Sequence, residues 1–133
     1  MDRVFLDANI LFSASYRQHS GLLRLWLLSE TELITSAYAL DEARRNVTDE
    51  PQLLRLNELR VTIETPAWTQ TVLPYGISIT TKDLPILLDA INSQASHLLT
   101  GDKQHFGPLY GQTISGVLIQ SPADYLATRS DRD

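Results

Sequence analysis

Four short apolar runs, each too brief to stand as a helix, alternate along this 133-residue chain with stretches whose apolar residues recur at helical spacing. The runs are Arg3 to Leu6, Glu32 to Ile34, His97 to Thr100 and Val117 to Gln120. Strands that alternate with helices predict a parallel sheet with helices packed on both faces. In such sheets the carboxyl ends of the strands form the ligand crevice. Asp7 and Asp102 fall just after two of the runs, where that crevice is expected. Glu42 and Asp83 belong to helical stretches able to lean over the same edge.

The helical stretches carry their own signals. Apolar sequence resumes after Asp7 through Ile10, Leu11 and Phe12. Ser20 is a candidate N-cap for a helix to about Leu28, with Leu22, Leu23, Trp26 and Leu27 on one face. Thr35 or Ser36 can cap the next helix, whose Leu40, Ala43 and Val47 share a side. Pro51 suits the first turn of a helix through about Leu59, with Leu53, Leu54 and Leu56 as its apolar side. Between Val61 and Ile79 three β-favouring patches are broken by Pro66, Pro74 and Gly76, and their pairing stays open. Asp83 reads as the N-cap of a helix to about Ala95, with Pro85 in its first turn. Pro122 opens a terminal helix through Ala127.

Composition bounds the chemistry. The length fits one domain spanning 1–133, and an apolar fraction of 43% supports a core without covalent staples. The absence of cysteine excludes disulfides, zinc–thiolate sites and thiol nucleophiles. No stretch approaches the ~18 apolar residues of a membrane span. The apolar run after Met1 is too short for a signal-peptide core, so a cytoplasmic protein is expected. The net charge of −5 argues against a strong non-specific grip on nucleic acid. Setting four acids aside from the 16 leaves a count close to the 11 Lys and Arg, so the remaining surface is near neutral.

Four clustered carboxylates repel one another and persist only with protons or a cation. Hard oxygen donors point to Mg²⁺ or Mn²⁺, and such an ion points to phosphodiester hydrolysis by activated water. No phosphate-binding loop or nucleophile elbow competes with that reading. Each acid also has an ordinary structural explanation: Asp83 as a cap, Glu42 as a solvated helix residue, Asp102 as a turn former. Asp7 is hardest to explain so, because it sits inside an apolar run where an unpaired carboxylate is expensive. Asn9 could orient Asp7 or cap a helix. Thr100 could hydrogen-bond a ligand carboxylate, and Lys103, Arg44 or Arg45 could reach phosphate or simply face solvent. Asp41 and Asp89 are competing acids expected to face solvent or a partner. His19, His97 and His105 show no mutual metal-ligand spacing and are read as structural or surface residues.

Taken together, the chain resembles a PIN domain over nearly its whole length. FLDANILFSA resembles the family's first motif with Asp7 as its acid, and TSAYALDEARRNV resembles the second with Glu42. KDLPILLDAINSQASHLLTGD resembles the third and fourth, with Asp83 and Asp102, and VLIQSPADYL resembles the closing strand and helix. The resemblance implies a three-layer α/β/α sandwich around a central parallel sheet, an acidic Mg²⁺ or Mn²⁺ site, and cleavage of single-stranded RNA. It implies a VapC-like toxin ribonuclease held by an antitoxin protein and often paired as a homodimer. Asp7, Asp83 and Asp102 would supply metal ligands, and Glu42 would hold or deprotonate a water. Where many members carry a further acid after the fourth motif, this chain has Gln104 or His105. That departure, with the low basic content, motivates the alternative of a catalytically weak or inactive PIN-fold module that binds RNA or protein.

Overall fold

A computed structural model describes residues 1–130; residues 131–133, the end of the expected single domain, lie outside the described residues. Six strands form one sheet: β1 (Asp2–Leu6), β2 (Thr31–Ser36), β3 (Thr62–Glu64), β4 (His97–Leu99), β5 (Thr113–Ile114) and β6 (Val117–Gln120). Five α-helices, α1 (Ala8–Ser15), α2 (Ala37–Asn46), α3 (Glu50–Glu58), α4 (Leu84–Asn92) and α5 (Pro122–Ser130), complete the α/β/α sandwich. The strand order is β3-β2-β1-β4-β6-β5. All neighbours pair in parallel except β5 with β6.

β1 lies at the middle of the sheet, and Val4, Phe5 and Leu6 are wholly buried. A short apolar run without alternation belongs there, since both faces of a central parallel strand are covered. From β1 the chain moves outward through β2 to β3. It then crosses back to place β4 on the other side of β1. Strand order thus reverses between β1 and β4, and that reversal opens a crevice at their carboxyl ends.

The sheet is mixed rather than wholly parallel, because β5, a two-residue strand with no signal of its own in the sequence, pairs antiparallel with β6. Ser115 and Gly116 both take positive φ, 49° and 88°, in a two-residue hairpin that turns β5 back along β6. That geometry is the type I′ turn, whose twist matches a hairpin. Of the three patches after Val61, only Thr62–Glu64 forms a strand; the rest runs as a long strap to Lys82. The strap is anchored by Asn92. Its Oδ1 accepts from the amides of Thr69 (3.0 Å) and Gln70 (2.9 Å), and its Nδ2 donates to the Gln70 carbonyl at 2.8 Å.

Two helices bury other faces than expected. Gly21–Leu27 is a 3₁₀ helix capped by Ser20, with three residues per turn. Leu25 is buried, Leu22 and Trp26 of the expected face pack partly buried against the core, and Leu27 is 83% exposed. In α3 the buried residues are Gln52 and Leu56, while Leu53 and Leu54 are exposed. Gln52 Nε2 donates to the Phe12 carbonyl at 3.1 Å, and Arg55 donates to the Ser15 and Tyr16 carbonyls. Polar side chains of α3 thereby satisfy the orphan carbonyls at the end of α1. α4 stops at Asn92, three residues short of expectation, where Gln94 adopts the left-handed conformation (φ 57°) that ends helices. No helix among the described residues is long and apolar enough to cross a membrane.

Candidate active site

The crevice between β1 and β4 is a cavity of about 470 Å³. Asp7, Glu42, Asp83 and Asp102 all line it, together with Asn9 and Lys82. Each acid arrives from a different element: the end of β1, the middle of α2, the turn before α4 and the loop after β4. A larger groove of about 850 Å³ runs between α1, the first 3₁₀ helix and α5. It carries no acid and shares only Phe12 with the crevice.

Asp7 is 4% exposed and caps α1. Its Oδ1 accepts from the Ala8 amide at 2.7 Å, and its Oδ2 accepts from Thr100 Oγ1 at 2.8 Å and Asn9 Nδ2 at 3.1 Å. Asn9 Oδ1 in turn accepts from the Gly101 amide at 2.8 Å, and Thr100 Oγ1 accepts from the Asp102 amide at 3.1 Å. Asn9 and Thr100 thus pin the ends of β1 and β4 together beneath the cavity. Burial pushes the Asp7 carboxyl up to about 6; the Thr100 and Ala8 hydrogen bonds oppose the rise, and the charges of Glu42 and Asp83 add to it.

Asp83 occupies the N-cap position of α4 without capping it. Its backbone is helical (φ −91°, ψ −13°) and its side chain makes no cap bond. The preceding turn already engages the amides of Asp83 and Leu84 through the Thr80 carbonyl. The carboxylate is therefore released to the cavity, where Oδ2 accepts from Thr80 Oγ1 at 2.5 Å and lies 3.1 Å from His105 Nδ1. Asp102 tethers the loop after β4: Oδ1 accepts from the His105 amide at 3.1 Å, and Oδ2 lies 2.9 Å from His105 Nδ1. Glu42, its side chain 21% exposed, faces Lys82 Nζ at 3.4 Å.

Two residues at the site were not anticipated. His105, read as structural or surface, brings its Nδ1 between the carboxylates of Asp83 and Asp102. One ligand atom from each of these three residues lies within 4.8 Å of the others. Asp7 lines the same cavity as Asp83 and Asp102 but lies outside that 4.8 Å set. The readable signal was the Asp-x-x-His spacing, which puts both side chains on one turn. Lys82, next to Asp83 in the sequence, also lines the crevice. Lys103, by contrast, is exposed and does not line the crevice.

The competing acids separate. Asp41 is exposed and pairs with Arg45 at 3.1 Å. Asp89, expected to face solvent or a partner, is buried and accepts from Trp68 Nε1 at 2.8 Å. The strap covers that face of α4 and supplies the indole. Arg44 turns to Asn57 of α3, whereas Arg45 borders the cavity next to the crevice. His97 packs edge-on against Tyr125 with ring centres 4.9 Å apart.

The donors suit a hard or borderline divalent cation: two carboxylates with an imidazole, beside further carboxylates that retain unused lone pairs. The strand order and the flanking helices make an α/β/α sandwich consistent with the fold that the PIN resemblance implies. No protein-family model matches the sequence, and no curated protein matches it significantly. Among solved structures, the chain is similar to one of FitAB bound to the IR36 DNA fragment, with a TM-score of 0.53 at 17% identity. The alignment covers 90% of this chain and 94% of that one, a likeness of fold along nearly the whole length.

Proposed function

We propose that the chain is a divalent-metal-dependent endoribonuclease that hydrolyses phosphodiester bonds of single-stranded RNA. The observation that carries this reading is the convergence of four carboxylates, from four elements, on one cavity at the strand-order reversal. Asp83, Asp102 and His105 would hold Mg²⁺ or Mn²⁺, with Asp7 bordering the same cavity. When bound, the ion supplies charge neutralisation at the phosphoryl oxygens and acidifies water. Glu42 accepts the proton of the attacking water at its carboxylate. Asn9 and Thr100 keep Asp7 and Asp102 in fixed relation through their hydrogen bonds to the β1 and β4 ends. With no cysteine in the chain, a water nucleophile fits better than a thiol.

The imidazole favours Mn²⁺ over Mg²⁺, because nitrogen donors suit the softer of the two ions. The test is cleavage of a labelled single-stranded oligoribonucleotide in Mn²⁺ by wild type, Asp83→Asn and Asp102→Asn. Both variants should lose at least about 100-fold in rate while keeping the wild-type circular dichroism spectrum. Full activity in either, with contaminating nuclease excluded, refutes the assignment.

We also propose that the protein is the toxin of a toxin–antitoxin pair. The support is the motif resemblance, with which the likeness in fold to FitAB agrees. Expression alone should arrest growth, and a neighbouring small reading frame should rescue it; unaffected growth at high expression counts against this part. A second reading, a PIN-fold module that binds RNA or protein without turnover, draws on His105 lodging against two of the acids. Calorimetric titration with Mn²⁺ separates the two, since such a module gives no heat.

A further inference from the structure

Beside the acid-lined crevice lies a second cavity of about 320 Å³, bounded by Tyr38, Glu42, Arg45, Asn46 and Lys82. Glu42, Asn46 and Lys82 border both spaces, so the two adjoin. The residues that belong to the second cavity alone are an aromatic ring and a guanidinium. In a chain of net charge −5, this places two cations and a π-face directly against the proposed reaction centre.

Neither cation is strongly committed. Lys82 Nζ lies 3.4 Å from Glu42 Oε1 with its side chain 72% exposed. Arg45 pairs with Asp41 across an exposed i,i+4 contact. Exposed pairs of this kind are weak and exchange readily for a phosphate. Tyr38 is more firmly held, because its hydroxyl donates to the Lys82 carbonyl at 3.0 Å while its ring stays 38% exposed. That bond fixes the ring and ties the end of the strap to α2. A half-exposed, immobilised ring flanked by cations is the arrangement that binds single-stranded nucleic acid by stacking and charge, without reading sequence.

We propose that this cavity is a nucleotide subsite: it receives the nucleotide next to the scissile phosphodiester, with Tyr38 stacked on the base and Lys82 and Arg45 meeting the phosphate. The identity of the strand as RNA rests on the nuclease reading above; the subsite itself rests on the cavity.

The test is fluorescence anisotropy with a labelled single-stranded oligoribonucleotide, Ca²⁺ replacing Mn²⁺, over a series of salt concentrations. Tyr38→Ala should weaken binding about tenfold, the usual effect of removing one base-stacking ring. Tyr38→Phe keeps the ring and should bind nearly as wild type, which separates stacking from the loss of the hydroxyl tether. Lys82→Ala should reduce the slope of log affinity against log salt by about 0.7, the loss of one phosphate contact on a single strand, and Lys82→Arg should restore it. In cleavage assays Tyr38→Ala should raise KM by a larger factor than it lowers kcat. Wild-type affinity in Tyr38→Ala, an unaltered salt slope in Lys82→Ala, or no binding by the wild-type protein overturns the subsite. Cleavage by a wild-type enzyme indifferent to both substitutions sinks the subsite and spares the nuclease. Binding with these dependences but without cleavage in Mn²⁺ does the reverse.

Discussion

Asp7 shows how one residue can oppose folding while serving a site. Its carboxyl is raised from 3.8 to about 6 chiefly by burial. Between those values the folded protein holds a proton that the unfolded chain has released, so stability falls as pH rises through about 6. The loss levels off above that, on the order of 2–3 kcal/mol for a shift of this size. Asp7→Asn has no such proton to lose. In EDTA it should melt above wild type at pH 7.5 and show a flatter pH dependence between pH 4 and 8, measured by thermal or urea unfolding. The same variant should lose RNA cleavage. A drop in melting temperature at pH 7.5 contradicts the account of Asp7 as a strained, buried anion. The misfit was legible in sequence, as an acid inside VFLDANIL. Its partners were not, because Thr100 is 93 residues away along the chain.

At the level of elements, most strands and helices followed from local physics. β6 and the caps at Ser20 and Ser36 lie where run length and capping chemistry put them. Failures came where the local period was not the helical one, or where a partner decided the exposed side. The Gly21–Leu27 segment buries Leu25 and leaves Leu27 outside, and α3 buries Gln52 because its amide satisfies α1. The strap from residue 65 to 82 has little regular structure and depends on polar anchors supplied by α4. Asn92→Ala leaves the Thr69 and Gln70 amides without their acceptor. It should destabilise the protein by about 1–3 kcal/mol, the range for unsatisfied polar groups. Hydrogen exchange across residues 65–80 should quicken more than in β1 or β4. Uniform quickening throughout the chain would show that the strap is no separate unit.

For the molecule as a whole, the acid cluster concentrates negative charge at one edge of the sheet. At the opposite edge, buried Arg129 on α5 reaches Asp2 Oδ2 (3.3 Å), Thr31 Oγ1 (2.9 Å) and the Ser29 carbonyl (2.6 Å), closing the C-terminal helix onto β1 and β2. Stability is thus built at one end of the sheet and given up at the other. A divalent ion that binds only the folded state should recover the deficit, by about 2.7 kcal/mol at a hundredfold excess over Kd. Mn²⁺ should therefore raise the melting temperature of wild type measurably, and Asp83→Asn and Asp102→Asn should abolish the increment. An equal increment in both variants would place the ion elsewhere.

What the sequence by itself determined was the alternation of strand and helix, the layered α/β class that follows from it, and the acids Asp7, Asp83 and Asp102 stationed at element ends. These are local matters of period, capping and the expense of burying charge, and each can be judged within a dozen residues. The tertiary structure alone decided which distant groups meet: His105 against Asp83, Lys82 against Glu42, Asp89 under Trp68. Such meetings depend on strand order and on how a strap crosses a helix, and neighbouring residues carry no record of either.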